Sequence, residues 1–137
     1  MTEDVVESLA RLALFADLTR PQLESVAHSF EEEVFPAGKR VLREGLSGSA
    51  FYLILYGEAR VEVGRFQRIL GRGEYFGEIS VLLGEAQSAD VVAESMLRCL
   101  VIPGPELEPL LLEHPAMTFR MLQAEARRVR DTTRWES

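Results

Sequence analysis

One segment of the chain, residues 76–93, combines residue types that bind anions in other proteins. Gly77 is followed by a short apolar stretch that includes Ile79 and Leu82, and then by a loop of small residues. A glycine that opens a helical turn presents backbone N–H groups without intrahelical partners, and such groups attract anions. The segment nevertheless contains no Lys or Arg, and its three charged residues are the acids Glu78, Glu85 and Asp90. The sequence therefore predicts an anion site that lacks a cation.

A second block of residues lies about 30 positions earlier, where glycines lead into an apolar strand. Its members are Glu44, Gly45, Gly48, Phe51, Tyr52, Ile54 and Gly57. The two blocks, in this order, resemble the cyclic nucleotide-binding domain family, of the catabolite-activator and protein kinase A regulatory-subunit type. The resemblance covers nearly the whole chain. It implies that the ligand is cyclic AMP or cyclic GMP and that the protein acts in signal transduction.

The segment 76–93 matches most of the family's phosphate-binding cassette. Its first half has the Phe-Gly-Glu start, the aliphatic and small residues and the leucine pair, at Phe76, Gly77, Glu78, Ile79, Ser80, Leu82 and Leu83. Two positions in the second half depart from the pattern. Ala86 stands where the family has proline, and Gln87 stands where the family has the arginine that grips the cyclic phosphate.

The resemblance implies a set of ligand-binding residues, for which ordinary structural roles are the alternative. The set is Gly77, Glu78, Ile79, Ser80, Gln87, Ser88 and Ala89. Gly77 lets the backbone approach the ligand, or it is a plain turn glycine. Glu78 accepts a hydrogen bond from the ribose 2′-hydroxyl, or it is an acid stabilised at a helix N-terminus. Ser88 and the N–H of Ala89 donate to the phosphate, or Ser88 bonds its own backbone.

Gln87 is the position that decides affinity. Arginine offers a rigid fork of donors and a permanent charge, whereas glutamine offers one uncharged NH₂ group. A charged hydrogen bond is worth about 1.5–3 kcal/mol, so its loss weakens binding by roughly ten- to a hundredfold. If Ser88 faces the ligand, strand alternation also places Asp90 beside it, where a carboxylate repels the phosphate. The sequence predicts weak or altered cyclic-nucleotide binding.

Three arginines precede the cassette on a predicted hairpin: Arg65, Arg68 and Arg72. The favoured interpretation is a solvated strand face that balances nearby acids. The sequence leaves open whether one of them reaches the ligand in place of the missing arginine.

Composition excludes several other classes of protein. The only histidines, His28 and His114, lie in predicted helices, which argues against a metal site and against a nucleophile–base pair. We therefore expect neither an enzyme nor a cofactor. The single cysteine, Cys99, excludes an intrachain disulfide and fits a reducing cytoplasm. The net charge of −7 argues against DNA binding by this chain alone, and its apolar runs are too short to span a membrane.

The elements predict a mainly β protein with flanking helices, a double-stranded β-helix (jelly-roll) barrel. We expect one domain over residues 1–137, with N-terminal helices in 1–30, the barrel in 31–102 and a C-terminal helix pair in 103–137. The first helix is predicted over 3–15, and the second begins at Thr19, which forms a capping box with Gln22. Residues 88–94 and 96–102 are predicted to form a final hairpin. No segment remains for a helix-turn-helix, so we expect a stand-alone domain.

Two functional hypotheses follow from these features. The first is a cyclic-nucleotide sensor or regulatory module with weakened binding. The second is a degenerate domain that binds no nucleotide and acts through protein interactions or as a regulatory subunit. The expected partner is a second copy, paired through the C-terminal helix, or an unidentified effector protein.

Overall fold

A computed structural model describes residues 2–46 and 49–136, with side chains described for 5–46 and 49–132. Gly48 of the second sequence block lies outside the described residues. Two compact units are present. The β unit is His28–Pro109, and the helical unit contains the residues up to 27 together with those from 110 onward.

The described residues form five helices and eight strands. The helices are α1 (Thr2–Ala10), α2 (Arg20–Ala27), α3 (Glu78–Leu83), α4 (Gly104–Glu113) and α5 (Pro115–Glu136). The strands are β1 (Glu31–Phe35), β2 (Arg40–Leu42), β3 (Ala50–Tyr56), β4 (Ala59–Val63), β5 (Phe66–Leu70), β6 (Tyr75–Phe76), β7 (Asp90–Ala93) and β8 (Leu97–Pro103).

The β unit contains two antiparallel sheets that share one core. One sheet has the strand order β1-β8-β3-β6 and the other has the order β2-β7-β4-β5. Alternate residues of β8 and β7 point into the core, as period-2 side-chain alternation requires. The core residues are Ile54, Ala59, Leu70, Phe76, Val91, Ala93, Leu97, Cys99 and Val101. This mainly β architecture with flanking helices confirms the predicted fold class.

The predicted final hairpin is wrong, because its two strands lie in different sheets. β7 pairs with β2 and β4, whereas β8 pairs with β1 and β3. The connection between β7 and β8 runs beside the corner between β3 and β4, where the Glu94 N–H donates to the Glu58 carbonyl (2.9 Å). Gly57 permits this close approach, since a Cβ there would lie 2.0 Å from the Met96 carbonyl oxygen. Two strands adjacent in sequence thus cross between sheets rather than fold back on each other.

The helical unit differs from prediction in the first helix. α1 ends at Ala10, Leu12 is extended, and a 3-10 turn over Ala13–Phe15 buries Leu14 and Phe15. Two adjacent apolar side chains are buried by this break, whereas an uninterrupted helix would point them 100° apart.

The predicted capping box at the start of α2 is confirmed. The Thr19 N–H donates to Oε1 of Gln22 (2.8 Å), and the Gln22 N–H donates to the Thr19 hydroxyl oxygen (3.4 Å). A separate contact joins the segment before α2 to α5, because the Arg120 guanidinium donates to both carboxylate oxygens of Asp17 (2.7 and 3.1 Å). Among the helices described, none combines the length and the apolar character that crossing a membrane requires.

Candidate ligand-binding site

The cassette begins in tight contact with β3. Gly77 follows β6 with a positive φ of 88°, and a Cβ at this position would lie 2.3 Å from the Ala50 carbonyl oxygen. Just before it, the Phe76 ring stacks on Tyr52 of β3, with centroids 4.8 Å apart and planes within 4°. The structure therefore requires a glycine at position 77 for packing, whether or not a ligand also approaches there.

The short helix α3 buries its polar residues and exposes its apolar ones. Glu78 and Ser80 are each 3% exposed, while Ile79, Leu82 and Leu83 are 43%, 50% and 64% exposed. The Ser80 hydroxyl donates to the Gly77 carbonyl (3.2 Å), so it supports the turn. A carboxylate is costly to bury without partners, and Glu78 does have an interaction partner. The structure thus places Glu78 inside the protein with a partner and Ile79 at the surface, and their predicted ligand contacts stay predictions.

Gln87 joins the two sequence blocks. Its side chain is buried (6% exposed), and its residue takes part in further interactions. Its carbonyl accepts the Gly45 N–H (2.8 Å), and its N–H donates to the Leu46 carbonyl (3.1 Å). The cassette is thus held directly against the residues that follow β2, although the two blocks are far apart in sequence.

Asp90 does not add the repulsion that strand alternation suggested. It begins β7, and its neighbour Val91 belongs to the core, so its side chain lies on the opposite, outer face. There its carboxylate accepts the Glu44 N–H (2.7 Å) and pairs with Arg40 (2.8 Å). The hydrogen bond from Glu44, followed by the Arg40 and Arg43 guanidinium groups, holds the pKa of Asp90 below its usual value. Its charge is therefore balanced.

Ser88 and Ala89 precede β7 in an irregular stretch of chain. Ser88 is exposed and Ala89 is half-buried. The side chain of Ser88 is therefore open to solvent, and the donor roles of Ser88 and of the Ala89 N–H stay predictions.

The three hairpin arginines are all exposed, but they do not share one face. Among the described residues, none of Arg65, Arg68 and Arg72 forms an ion pair. Arg68 stands directly opposite Val61, and Val61 packs against the core. Paired residues of antiparallel strands point to the same face, so Arg68 projects from the core-facing side of β5. The sequence left open whether one of the three arginines faces the ligand, and the hairpin register singles out Arg68 as the candidate.

The described residues give little support for metal binding or for a reactive thiol. The structure describes no group of three or more His, Cys, Asp or Glu residues that could hold a metal, within residues 2–46 and 49–136. Cys99 lies in the core, and burial raises the pKa of its thiol to about 12. Because the thiolate is the reactive form, Cys99 is inert at neutral pH.

Comparison with known proteins identifies the family. The sequence profile of the cyclic nucleotide-binding domain matches residues 32–114, which is more than half of the chain, so the chain belongs to this family. A cGMP-dependent protein kinase of Toxoplasma gondii is 33% identical over 119 residues, which cover 86% of this chain but only 12% of the kinase. The chain therefore corresponds to a small part of that relative.

Solved structures agree with this assignment. The catabolite activator protein of Thermus thermophilus is 28% identical, with a TM-score of 0.76 over 88% of this chain and 59% of that protein. The regulatory subunit of a cAMP-independent protein kinase A from Trypanosoma brucei has a TM-score of 0.80 at 23% identity. The match covers 91% of this chain and 46% of that subunit, and it shows that the two share a fold.

Proposed function

We propose that this chain is a regulatory module that binds a cyclic nucleotide weakly through its cassette. One observation carries the proposal. The two sequence blocks meet at Gln87, whose backbone forms hydrogen bonds with Gly45 and Leu46. In this proposal the cassette backbone binds the phosphate as the resemblance implies, while the neutral Gln87 stands where the family has its arginine. Membership of the cyclic nucleotide-binding domain family supports the ligand class.

Each predicted residue has a distinct part in this proposal. The Ser88 hydroxyl and the Ala89 N–H donate to the phosphate, and Gln87 adds one neutral amide donor. Glu78 accepts from the ribose 2′-hydroxyl, while Ile79 offers apolar surface. Gly77 and Ser80 hold the turn, since the Ser80 hydroxyl already donates to the Gly77 carbonyl.

Arg68 supplies a base contact in this arrangement. Val61 pairs with Arg68 on one side and with Val91 on the other, so Arg68 lies two strands, or roughly 10 Å, from β7. A nucleotide with its phosphate at residues 88 and 89 spans this distance along the core-facing side of the sheet. The guanidinium fork matches the two acceptors O6 and N7 of guanine, whereas adenine places an amino donor there. We therefore propose that the module prefers cyclic GMP to cyclic AMP.

Calorimetric titration with both nucleotides tests the proposal. We expect weak binding by the natural sequence and roughly ten- to hundredfold tighter binding by Gln87→Arg, since a charged donor fork is restored. Gln67→Arg is the matched control, because it adds the same charge on β5, where Gln67 donates to Glu62 (3.1 Å) rather than lining the cassette. The proposal fails if neither nucleotide gives heat or a thermal shift with the natural protein at millimolar concentration.

A nucleotide-free regulatory domain is the second candidate function. The observation that favours it is the burial of Gln87 and Glu78, each with an interaction partner inside the protein. The fold also occurs in the regulatory subunit of a cAMP-independent protein kinase A. Under this alternative the module acts through protein contacts, and the negative titration described above is its expected result.

A further inference from the structure

Asp90 makes two contacts that the proposed ligand site does not use. Its Oδ1 atom accepts the backbone N–H of Glu44 at 2.7 Å, and its Oδ2 atom pairs with Nη1 of Arg40 at 2.8 Å. The side chains of Arg40 and Asp90 are 42% and 31% exposed. An exposed ion pair of this kind contributes little to stability by itself. The bond to the Glu44 backbone is different, because it fixes a segment of main chain.

The segment that Asp90 holds is the irregular stretch after β2. Residues 44–46 have no regular strand partner, and Gly45 has a positive φ of 83°. Their described attachments to the cassette are the two backbone bonds at Gln87 and the bond from the Glu44 N–H to Asp90. These three bonds lie on either side of Ser88 and Ala89. The backbone that would meet the ligand is therefore bracketed by them.

We propose that Asp90 is a positioning residue, whose carboxylate fastens residues 44–46 to β7 and so fixes the backbone of residues 87–89. A ligand site must be held within about 0.5 Å of its working geometry by the residues behind it. A carboxylate suits this task because it forms a stronger hydrogen bond to a backbone N–H than a neutral acceptor does. The consequence for affinity rests on the proposed function, whereas the consequence for backbone order does not.

Backbone order is tested by amide hydrogen exchange without any ligand. In Asp90→Ala the amides of Glu44, Gly45 and Gln87 should exchange at least about tenfold faster, since the loss of one charged hydrogen bond changes a local opening equilibrium by roughly that factor. Asp90→Asn keeps an oxygen acceptor and should show a smaller increase. Glu94→Ala is the matched control, because Glu94 also pairs with an arginine, Arg60, but has no described bond to residues 44–46. The proposal is overturned if Asp90→Ala and Glu94→Ala give the same exchange at Gly45 and Gln87.

Affinity is tested by calorimetry with cyclic GMP. Asp90→Ala should weaken binding by about tenfold, Asp90→Asn should restore part of it, and Glu94→Ala should leave it unchanged. Faster exchange without any loss of affinity would overturn the positioning role. If the natural protein binds no nucleotide, the proposed function fails and hydrogen exchange alone decides whether Asp90 orders the cassette. If Asp90→Ala fails to fold, the comparison of Asp90→Asn with Glu94→Ala decides in its place.

Discussion

The neutral side chain at position 87 affects the stability of the ligand-free protein as well as the affinity for the nucleotide. Gln87 is 6% exposed, and an amide is less costly to bury than a guanidinium ion without an anion beside it. We therefore expect Gln87→Arg to lower the melting temperature of the ligand-free protein by a few degrees, with a saturating cyclic nucleotide reversing the loss. Differential scanning calorimetry with and without ligand measures both effects. An arginine variant that melts like the natural protein in both conditions would contradict this account of the site.

Arg68 gives a prediction about ligand choice. Removing a guanidinium that contacts two guanine acceptors costs about 1–3 kcal/mol of discrimination. We expect Arg68→Ala to weaken cyclic GMP binding about 5- to 150-fold, with a much smaller effect on cyclic AMP. Competition titrations with both nucleotides measure this ratio, and Arg72→Ala is the control at an exposed position on the following turn. Equal losses for both nucleotides would indicate general electrostatic attraction instead of base recognition.

The site residues show where sequence reasoning succeeds and where it stops. The cassette could be located because Gly77, Glu78 and Gln87 follow a contiguous pattern whose local geometry depends on neighbouring residues. Asp90 was misplaced because alternation was extended back through Ser88, whereas β7 begins at Asp90 itself. Arg68 could not be singled out from Arg65 and Arg72, because its face depends on the register of β5 against β4, which is fixed only once the sheet is formed.

At the scale of elements, α5 is tied to the chain before α2 by one ion pair. Arg120 contacts Asp17 through two hydrogen bonds, and these bonds lower the pKa of Asp17. A lowered folded-state pKa means that the stabilisation is complete above the unfolded pKa of about 4 and is lost as pH falls through the folded value. We expect Asp17→Asn to lower the melting temperature at pH 6 and to match the natural protein near pH 2. A difference that persists unchanged at low pH would contradict this assignment.

The elements differ in how far local sequence determines them. The α2 start was predictable because Thr19 and Gln22 bond each other within one turn. The end of α1 was not, because its apolar spacing continues through Leu12 while burial of the following residues breaks the helix. The placement of β7 and β8 in different sheets involves contacts distant in sequence, such as the close approach of Met96 to Gly57. No periodicity within either strand contains that information.

At the scale of the whole molecule, we propose that α5 pairs with α5 of a second copy along one apolar face, the seam. Phe119, Leu122 and Val129 are 59%, 62% and 67% exposed, and with Ala126 they follow the alternating three- and four-residue spacing of a coiled coil. Glu125 and Arg130 flank this seam at positions that face each other in a parallel pair. From the apolar spacing and this charge pattern we propose a parallel homodimer.

Sedimentation equilibrium tests the dimer. We expect a concentration-dependent dimer that Leu122→Lys disrupts, since a charge at the seam must be desolvated without a partner. Leu112→Lys is the control, because Leu112 is 76% exposed but belongs to α4. The proposed dimer would be contradicted if the natural protein stayed monomeric at high micromolar concentration, or if Leu122→Lys still formed a dimer.

The central position of β8 also governs when the protein can fold. Both of its partners lie far back in the chain, since β1 ends at Phe35 and β3 ends at Tyr56, and Glu31 pairs with Val101. Pairing over such sequence separations is slow, because a long loop must close before the contacts form. During synthesis, β1 and β3 remain without their common partner until residues 97–103 leave the ribosome. The cassette directly precedes β8 in the chain, so the sheet that contains both β6 and β8 is completed only after the cassette has been synthesised.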